Sequence, residues 1–200
     1  GKAADGEIWL GPAVTLVNLQ ENLKKTNYFY PPNPTETNAS IGGTLATNAS
    51  GSRSYKFGVT RNFVNAVDCI LADGRRVLIK RGHKITEPLL LEGGSEIEFP
   101  EIKYISPNCK NTAGYFIQPG MDWLDLFIGS DGTLGIFVNI CLKLIPRPDA
   151  FLSGVLFFEK EKFCWELIPK IKSTNYVSPC SLEYFDRYSL DLLREKYPNI

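Results

Sequence analysis

The chain has 200 residues, of which 44% are hydrophobic and 22% are charged, a composition typical of a folded globular protein and not of a disordered tail. Lysine and arginine together number 22, as do aspartate and glutamate. This neutral balance excludes a strong overall field toward nucleic acid or an anionic membrane, and no nucleic-acid partner is expected.

The cysteine pattern and the lack of long apolar runs favour a cytoplasmic protein. The five cysteines form no CxxC pair, and an odd number cannot all pair within one chain. Cys69 and Cys141 lie in apolar runs and are predicted to be buried core residues. No stretch approaches the ~20 apolar residues of a transmembrane segment, and no signal-peptide region opens the chain. Peripheral association with the inner membrane through a partner protein is an alternative that the sequence leaves open.

The N-terminal residues predict a strand, a turn and a helix. An apolar stretch ends at Leu10, and the turn residues Gly11-Pro12 follow. Apolar side chains from Val14 to Leu23 then recur at helical spacing, with polar residues between them. The next segment, 28–58, is rich in proline and small residues. It is predicted to be a linker, or a surface that another group fills, and not a core element.

A β-hairpin is predicted for residues 63–80. Val64–Ala72 and Arg75–Lys80 are apolar-rich runs separated by Asp73-Gly74, a dipeptide that favours a two-residue type I′ turn. Residues 82–119 contain several prolines. They are predicted to form an irregular excursion with short strands and no long helix.

A helix and a long strand are predicted next. Asp122 can cap a helix that ends at Gly129, a residue type suited to a helix C-terminus. From Ile136 to Leu144 every second residue is apolar, and this period of two predicts a strand. We expect this strand and the hairpin of residues 64–80 to share one antiparallel-rich sheet in an α+β fold.

Two prolines, Pro146 and Pro148, predict a domain boundary, because they stiffen a connection and stop strand pairing. Residues 1–148 are interpreted as one domain and residues 149–200 as the start of another. The second part has a β-α-β-α order, which indicates the beginning of a ferredoxin-like domain. Its predicted strands are Phe151–Phe158 and 181–186, and its predicted helices are Lys160–Lys172 and 187–197.

The run from Pro32 to Gly51 has the composition of a ligand-binding loop. Its glycines let the backbone approach a ligand closely, and its Ser, Thr and Asn side chains offer short donors beside backbone N–H groups. Such a surface suits a diphosphate and the edge of a flat ring. The run lacks the GxGxxG pattern, which argues against a nicotinamide-binding Rossmann site. A flexible loop without a ligand is the alternative.

This run resembles the second flavin-binding motif of the FAD-linked oxidases, whose FAD-binding domain has the vanillyl-alcohol-oxidase or PCMH-type fold. The shared features are a Pro-x-Pro opening, small residues, Ile41-Gly42-Gly43, Asn48-Ala49-Ser50-Gly51 and Phe57-Gly58. The family includes D-lactate dehydrogenase, the FAD subunit of glycolate oxidase, D-2-hydroxyglutarate dehydrogenase and alkylglycerone-phosphate synthase. The resemblance implies the second subdomain of that FAD-binding domain, mainly an antiparallel sheet with flanking helices.

Three further motifs follow in the order that the family has them. They are the strand and turn Val64–Gly74, the segment Lys110–Tyr115 and the run Leu126–Ile136. In the last of them Asp131 stands where the family more often has glutamate. The shorter side chain could alter a hydrogen bond near the cofactor.

Carried over by position, the resemblance implies FAD binding through two stretches that lie side by side and face one groove. The first would contact the diphosphate, the ribityl chain and the ring edge, with Gly42 and Gly43 passing beneath the cofactor. The second would supply backbone contacts on the adenine–diphosphate side. The first comprises Pro34, Thr35, Glu36, Thr37, Asn38, Ala39, Ser40, Gly42, Gly43, Thr47, Asn48, Ala49, Ser50 and Gly51. The second comprises Ser130, Asp131, Gly132, Thr133, Leu134, Gly135 and Ile136.

The resemblance also implies that the chain is a fragment. The family's first flavin-binding motif and most of its C-terminal domain, with the catalytic histidines and metal ligands of several members, would lie outside it. No catalytic residue is therefore assigned. No metal site is predicted, because His83 is the only histidine and no thiol cluster accompanies it.

The activity that the resemblance implies is FAD-dependent oxidation of a 2-hydroxy acid, such as D-lactate, glycolate or D-2-hydroxyglutarate, by hydride transfer to flavin. The electrons would pass to a quinone, an electron-transfer protein or oxygen. Two alternatives stay open. One is a flavin transferase without net oxidation, as in alkylglycerone-phosphate synthase, and the other is a flavin-free interaction module that kept the fold.

Overall fold

The structure is a computed structural model that describes residues 3, 5–109 and 111–198. Lys110, the first residue of one of the quoted motifs, lies outside the described residues. The strands are β1 (Glu7–Leu10), β2 (Tyr28–Phe29), β3 (Val64–Ile70), β4 (Arg76–Lys80), β5 (Leu89–Leu90), β6 (Glu96–Ile97), β7 (Ile136–Lys143) and β8 (Ile145–Pro146). The helices are α1 (Leu16–Leu23), α2 (Ile41–Ala46), α3 (Ser54–Phe57), α4 (Trp123–Phe127), α5 (Glu161–Ser173) and α6 (Arg187–Lys196).

A four-stranded antiparallel sheet organises the first 148 residues. Its strand order is β1-β7-β3-β4, so the N-terminal strand, the hairpin and the long strand of the sequence prediction share one sheet. Leu16, Leu19 and Leu23 of α1 and the aromatic residues Trp123 and Phe127 of α4 belong to the same buried core. The predicted α+β class is confirmed.

The segment 28–58 contributes to the core, contrary to prediction. Ile41 and Leu45 are fully buried one turn apart on α2, and Tyr30 is also buried. The helix begins where the Ser40 hydroxyl accepts a hydrogen bond from the Gly43 N–H at 3.1 Å. Gly42 and Gly43 inside α2 lower the helix propensity of this segment. For that reason the helical spacing of Ile41 and Leu45, which indicates a buried face, was not recognised in the sequence.

The hairpin turn has three residues and not the predicted two. The Gly74 N–H donates to the Leu71 carbonyl, and the Leu71 N–H donates to the Arg75 carbonyl, both at 2.9 Å. Ala72, Asp73 and Gly74 therefore form the loop. Only Gly74 among them has a positive φ, whereas a type I′ turn needs two such residues.

The long strand β7 contains a bulge that the sequence pattern did not reveal. Asp68 pairs with Asn139 but Cys69 pairs with Phe137, so Val138 is an extra residue on β7. Phe137 is consequently buried while Ile136 is 69% exposed. The strand itself is confirmed, but its alternation changes phase at the bulge.

Helices α5 and α6 occupy the positions predicted for residues 149–200, whereas the described residues show no strand at Phe151–Phe158 or 181–186. A strand needs a hydrogen-bonded neighbour, and apolar side chains such as Leu152 are almost fully exposed here. The domain boundary and the ferredoxin-like interpretation stay predictions. Within the described ranges no helix combines the length and apolar character needed to cross a membrane.

Candidate functional site

The two stretches predicted to bind a cofactor meet at the C-terminal end of α2. The Gly129 N–H donates a hydrogen bond to the Leu45 carbonyl at 2.9 Å, and the Asp131 N–H donates to the Ala46 carbonyl at 2.8 Å. Backbone bonds of this kind fix one loop against the other independently of side-chain rotamers. The predicted adjacency of the two stretches is confirmed, and their contacts to FAD stay a prediction.

A pocket of about 220 Å³ lies where these stretches meet. Thr47 and Asn48 line it from the first stretch, and Asp131 lines it from the second together with Gly129. The other lining residues are Arg61, Ser106 and 111–116. Residues from four separate parts of the sequence thus converge on one concave surface, as ligand sites commonly require.

Two lining residues have backbone conformations that L-residues seldom adopt. The φ angle is +46° at Asn48 and +51° at Asp131. Such strain persists where surrounding bonds hold it, and it concentrates at functional sites. The Asn48 side-chain oxygen accepts a hydrogen bond from the backbone N–H of Arg61 at 3.0 Å. The backbone N–H of Asp131 donates to the Ala46 carbonyl at the end of α2. Both strained residues are therefore held by the neighbouring segment.

Arg61 is the central side chain of this pocket. Its guanidinium donates hydrogen bonds to the carbonyls of Asp125 and Ile128, at the end of α4, and lies over the Phe116 ring with its carbon 4.2 Å from the ring centre. Burial lowers the pKa of Arg61, and the Asp125 carboxylate opposes that shift. Arg61 thus joins α4, the 111–116 segment and the Asn48 turn.

Arg61 belongs to a network of charged side chains that also includes Arg81, Lys84, Asp122 and Asp125. Arg81 lies 2.7 Å from the Asp125 carboxylate, and Lys84 lies 2.9 Å from the Asp122 carboxylate. Asp122 occupies the predicted cap position of α4, and its backbone N–H donates to Asp125 at 3.1 Å. Burial alone would raise the pKa of Asp122, but hydrogen bonds from Lys84, the Gly82 N–H and Arg81 outweigh it and lower that pKa.

The second stretch carries a buried hydroxyl that lacks a partner. Thr133 donates to the Ser130 carbonyl at 2.6 Å and shares a 2.7 Å hydrogen bond with the Tyr115 hydroxyl. Ser130 is 3% exposed, and its Oγ has no hydrogen-bond partner among the described residues. A buried hydroxyl without a partner is costly in the free protein, and such a group often awaits a ligand.

The predicted residues Pro34, Thr35 and Thr37 line a different, larger pocket of about 400 Å³. Ser52 and Arg53 also contribute to it, together with Leu16, Gln20, Asn33 and Glu183. The predicted cofactor residues are therefore divided between two concave surfaces. Arg53 and Arg61 were missed by the sequence analysis, because an arginine in a polar loop is usually a solvated residue.

Several predicted residues face the protein itself. A Cβ at Gly42 would lie 2.7 Å from the Pro12 Cβ, and one at Gly135 would lie 2.5 Å from the Cys69 sulfur. The close approach that these two glycines allow is therefore to neighbouring protein atoms. Ser40 caps α2, and Ala39 and Leu134 pack against the core. Glu36, Asn38 and Ile136 are exposed outside both pockets.

The remaining polar clusters do not form a metal site. Within residues 3, 5–109 and 111–198, no group of three or more His, Cys, Asp or Glu side chains is arranged to hold a metal ion. The His83 ring nitrogen lies 3.1 Å from the Pro88 carbonyl and 3.9 Å from the Glu87 carboxylate. His83 is thus a loop residue held by local contacts.

Comparison with known proteins gives similarity over nearly the whole chain. Residues 2–80 match the family described as FAD binding domain. A D-lactate dehydrogenase of Anaerostipes hadrus is 30% identical over 174 residues, which are 87% of this chain and 30% of that protein. The glycolate oxidase subunit GlcD of Bacillus subtilis strain 168 is 29% identical over 190 residues, which are 94% and 33% of the two chains.

The chain spans about a third of the length of these curated relatives. Among solved structures, an alkyldihydroxyacetonephosphate synthase superposes with a TM-score of 0.50 at 18% identity, covering 73% of this chain and 20% of that one. At this identity the structural likeness shows the fold alone. It agrees with the antiparallel sheet and flanking helices described above.

Proposed function

We propose that the protein carrying this chain is an FAD-dependent oxidoreductase that oxidises a 2-hydroxy acid, because residues 2–80 match the family described as FAD binding domain. D-lactate, glycolate and D-2-hydroxyglutarate are the substrate types proposed. The names of the relatives, D-lactate dehydrogenase and glycolate oxidase subunit, support this class. The bound flavin would supply the hydride acceptor, and the protein would supply binding, orientation and electrostatics.

The observation that carries the proposal is the pocket between the two predicted stretches. Its lining combines two residues with positive φ, Asn48 and Asp131, with the Arg61 cation and the small polar residues of 111–114. Ser130 lies between the lining residues Gly129 and Asp131, and its buried hydroxyl has no hydrogen-bond partner among the described residues, which fits a ligand rich in acceptor oxygens such as a diphosphate. A Cβ at the neighbouring Gly132 would meet nothing within 4 Å, so the main chain there is open to a bound group.

In this proposal, FAD would be held by the predicted residues that line the smaller pocket, Thr47, Asn48 and Asp131, and Arg61 would hold those loops together. The Arg61 guanidinium donates its hydrogen bonds to carbonyl groups of the protein. Its positive charge nevertheless lies in the pocket wall, where it favours an anionic diphosphate. The segment 111–116, joined to the second stretch through Tyr115 and Thr133, would form one wall of the cofactor pocket.

The domain organisation and the electron acceptor belong to the proposal as well. Residues 1–148 would form the FAD-binding part, and residues 149–200 would begin the domain that faces the substrate. Electrons would leave the flavin for a quinone, an electron-transfer protein or oxygen. A flavin transferase without net oxidation is the second candidate, since an alkyldihydroxyacetonephosphate synthase shares the fold.

The test is to purify the full-length protein, measure its flavin absorbance and add each hydroxy acid without oxygen. We expect one of these hydroxy acids to bleach the absorbance band of the oxidised flavin. About one molecule of acid should be oxidised for each flavin reduced. Bound flavin that stays oxidised with every hydroxy acid would favour the transferase without net oxidation. A colourless protein that binds no added FAD would overturn both and favour an interaction module.

A further inference from the structure

Arg53 lines the larger pocket without an acidic partner. None of the ion pairs among residues 3, 5–109 and 111–198 includes Arg53, and its guanidinium makes no hydrogen bond to these residues. Half-buried guanidinium groups normally bond carboxylates, carbonyls or an anionic ligand. The Arg53 side chain therefore keeps its donors available toward the pocket.

Two aromatic rings fix the position of this guanidinium. Its carbon lies 5.0 Å from the centre of the Phe29 ring and 5.6 Å from that of Phe151, and the two ring centres are 5.6 Å apart. Cation–π contacts on both rings restrain the planar group and leave its N–H edge for a ligand. Phe151 comes from the 149–200 stretch, so the arginine lies where the two parts of the chain meet.

The backbone around Arg53 is also held in place. The Asn33 side-chain oxygen accepts a hydrogen bond from the backbone N–H of Arg53 at 3.2 Å. The side-chain NH₂ group of Asn33 donates to the Ser52 hydroxyl at 3.3 Å. Thr35 and Thr37 bring two further hydroxyl groups to the lining. A restrained guanidinium surrounded by hydroxyl and amide groups is suited to a small hydroxylated anion.

We propose that Arg53 binds the carboxylate of the substrate in the pocket formed by Asn33, Thr35, Thr37, Ser52 and Arg53. This inference rests on the proposed function, and it assigns a substrate-binding residue to a pocket in which only Pro34, Thr35 and Thr37 were predicted to contact a ligand. The planar N–H edge of guanidinium matches a carboxylate in a two-bond geometry. Recognition of this group explains selection of hydroxy acids over neutral alcohols.

The charge of the lining favours a carboxylate over a diphosphate. Glu183 contributes an acidic group to the same pocket and offsets the Arg53 charge, so the lining offers little net positive charge for the diphosphate of a cofactor. The smaller pocket offers a different setting for a diphosphate, with the Arg61 cation in its wall and the buried Ser130 hydroxyl between its lining residues Gly129 and Asp131. The two pockets thus divide between the anionic parts of cofactor and substrate.

The experiment uses the full-length, flavin-loaded protein and compares Arg53→Met with Arg53→Lys. For each variant, kcat/KM is measured with the best hydroxy acid and with its methyl ester, and the Kd of oxalate is measured by calorimetry. We expect Arg53→Met to lower the acid-to-ester ratio and raise the oxalate Kd by about 10-fold to 100-fold, the range of one charge-assisted contact. Arg53→Lys should restore part of both, and FAD affinity should stay unchanged.

The matched control is Lys56→Met, because Lys56 also lies over an aromatic ring, that of Phe57, but outside the pocket. It should leave the ratio and the oxalate Kd unchanged. Equal losses with acid and ester in Arg53→Met, an unchanged oxalate Kd, or weakened FAD binding would each overturn the inference. Oxalate calorimetry needs no turnover, so Arg53 is tested even if no hydroxy acid reduces the flavin and the proposed function fails.

A second variant serves where Arg53→Met does not fold. Glu183→Gln removes the acidic group from the same pocket and should tighten oxalate binding by about twofold to fivefold, since a nearby like charge is lost. An unchanged or weaker oxalate affinity in Glu183→Gln would contradict the assignment of this pocket to a carboxylate.

Discussion

Gly51 lies against the Asn33 backbone so closely that a Cβ at position 51 would approach the Asn33 carbonyl carbon to 2.5 Å and overlap its oxygen. Two parts of the small-residue run are therefore packed on one another. The run is not a free loop awaiting a ligand, and some of its glycines serve the fold. This contact also places Asn33 beside Ser52 and Arg53, the two lining residues that it bonds.

Replacement of Gly51 by alanine should destabilise the protein by about 2–4 kcal/mol, because a backbone carbonyl cannot move aside as a flexible side chain would. The free energy of unfolding from urea titration measures this loss. Gly11→Ala is the matched control, since a Cβ at Gly11 meets nothing within 4 Å, and it should change stability by less than about 0.5 kcal/mol. Equal effects in the two variants would refute the proposed contact.

Arg61→Gln should cost about 2–4 kcal/mol of stability and weaken FAD binding. The change leaves the carbonyls of Asp125 and Ile128 without their buried donor and removes a cation from the pocket wall. Urea titration and flavin fluorescence titration report the two effects separately. Arg75→Gln, at an exposed ion pair with Asp73, should leave both unchanged. Wild-type FAD affinity in Arg61→Gln would exclude a role for Arg61 at the site.

Local patterns predicted most of the sheet. The hairpin β3–β4 and the strand β7 are set by short-range alternation and a turn glycine, so they could be found from sequence. The bulge at Val138 could not, because it arises from pairing with β3. Helix α2 was missed since glycines obscured its two buried residues. The strands expected at 151–158 and 181–186 depend on partners that local sequence does not specify.

The site was predictable only in part, and for a similar reason. Family motifs placed the two loop stretches in contact, and the structure agrees through the bonds of Gly129 and Asp131 to α2. Arg53 contacts aromatic rings, and Arg61 contacts carbonyl groups, that are far from them in the sequence. The residues next to each arginine in the sequence therefore do not indicate these contacts. Gly42 and Gly135 resemble ligand-facing glycines in sequence, but protein atoms lie against them.

The buried thiols should resist alkylation while an exposed one reacts. Burial, with a smaller effect from Asp68, raises the pKa of Cys69 to about 11, and burial and the Glu7 carboxylate raise that of Cys141 to about 12. At pH 8 the thiolate fraction of Cys69 is about one in a thousand. Iodoacetamide and mass spectrometry should show rapid labelling at exposed Cys109 and labelling of the other two only after unfolding. Fast native labelling of Cys69 would contradict its burial.

Asp122 should contribute to loss of stability in acid. Its pKa is lowered in the folded state, so folding favours the ionised carboxylate. That contribution is fully present above the unfolded-state pKa of about 3.9 and is lost as pH falls through the lower folded-state pKa. Asp122→Asn should flatten the dependence of unfolding free energy on pH below about pH 4, whereas Asp149→Asn, a change at an exposed side chain, should leave that dependence as in the wild type. A wild-type slope in Asp122→Asn would remove Asp122 from the acid response.

Ser130→Ala should separate stability from cofactor binding, because the Ser130 hydroxyl is buried and has no hydrogen-bond partner within residues 3, 5–109 and 111–198. Removing a buried polar group that makes no hydrogen bond leaves stability unchanged or raises it by about 1 kcal/mol. If that hydroxyl bonds FAD, the same change should weaken FAD about 10-fold. Thr133→Val is the control with the opposite pattern, since the Thr133 hydroxyl bonds Ser130 and Tyr115 within the protein. It should lower the melting temperature. Calorimetric melting and flavin fluorescence titration of the full-length variants measure both quantities, and a Ser130→Ala protein that melts early but binds FAD normally would show that the hydroxyl serves the fold.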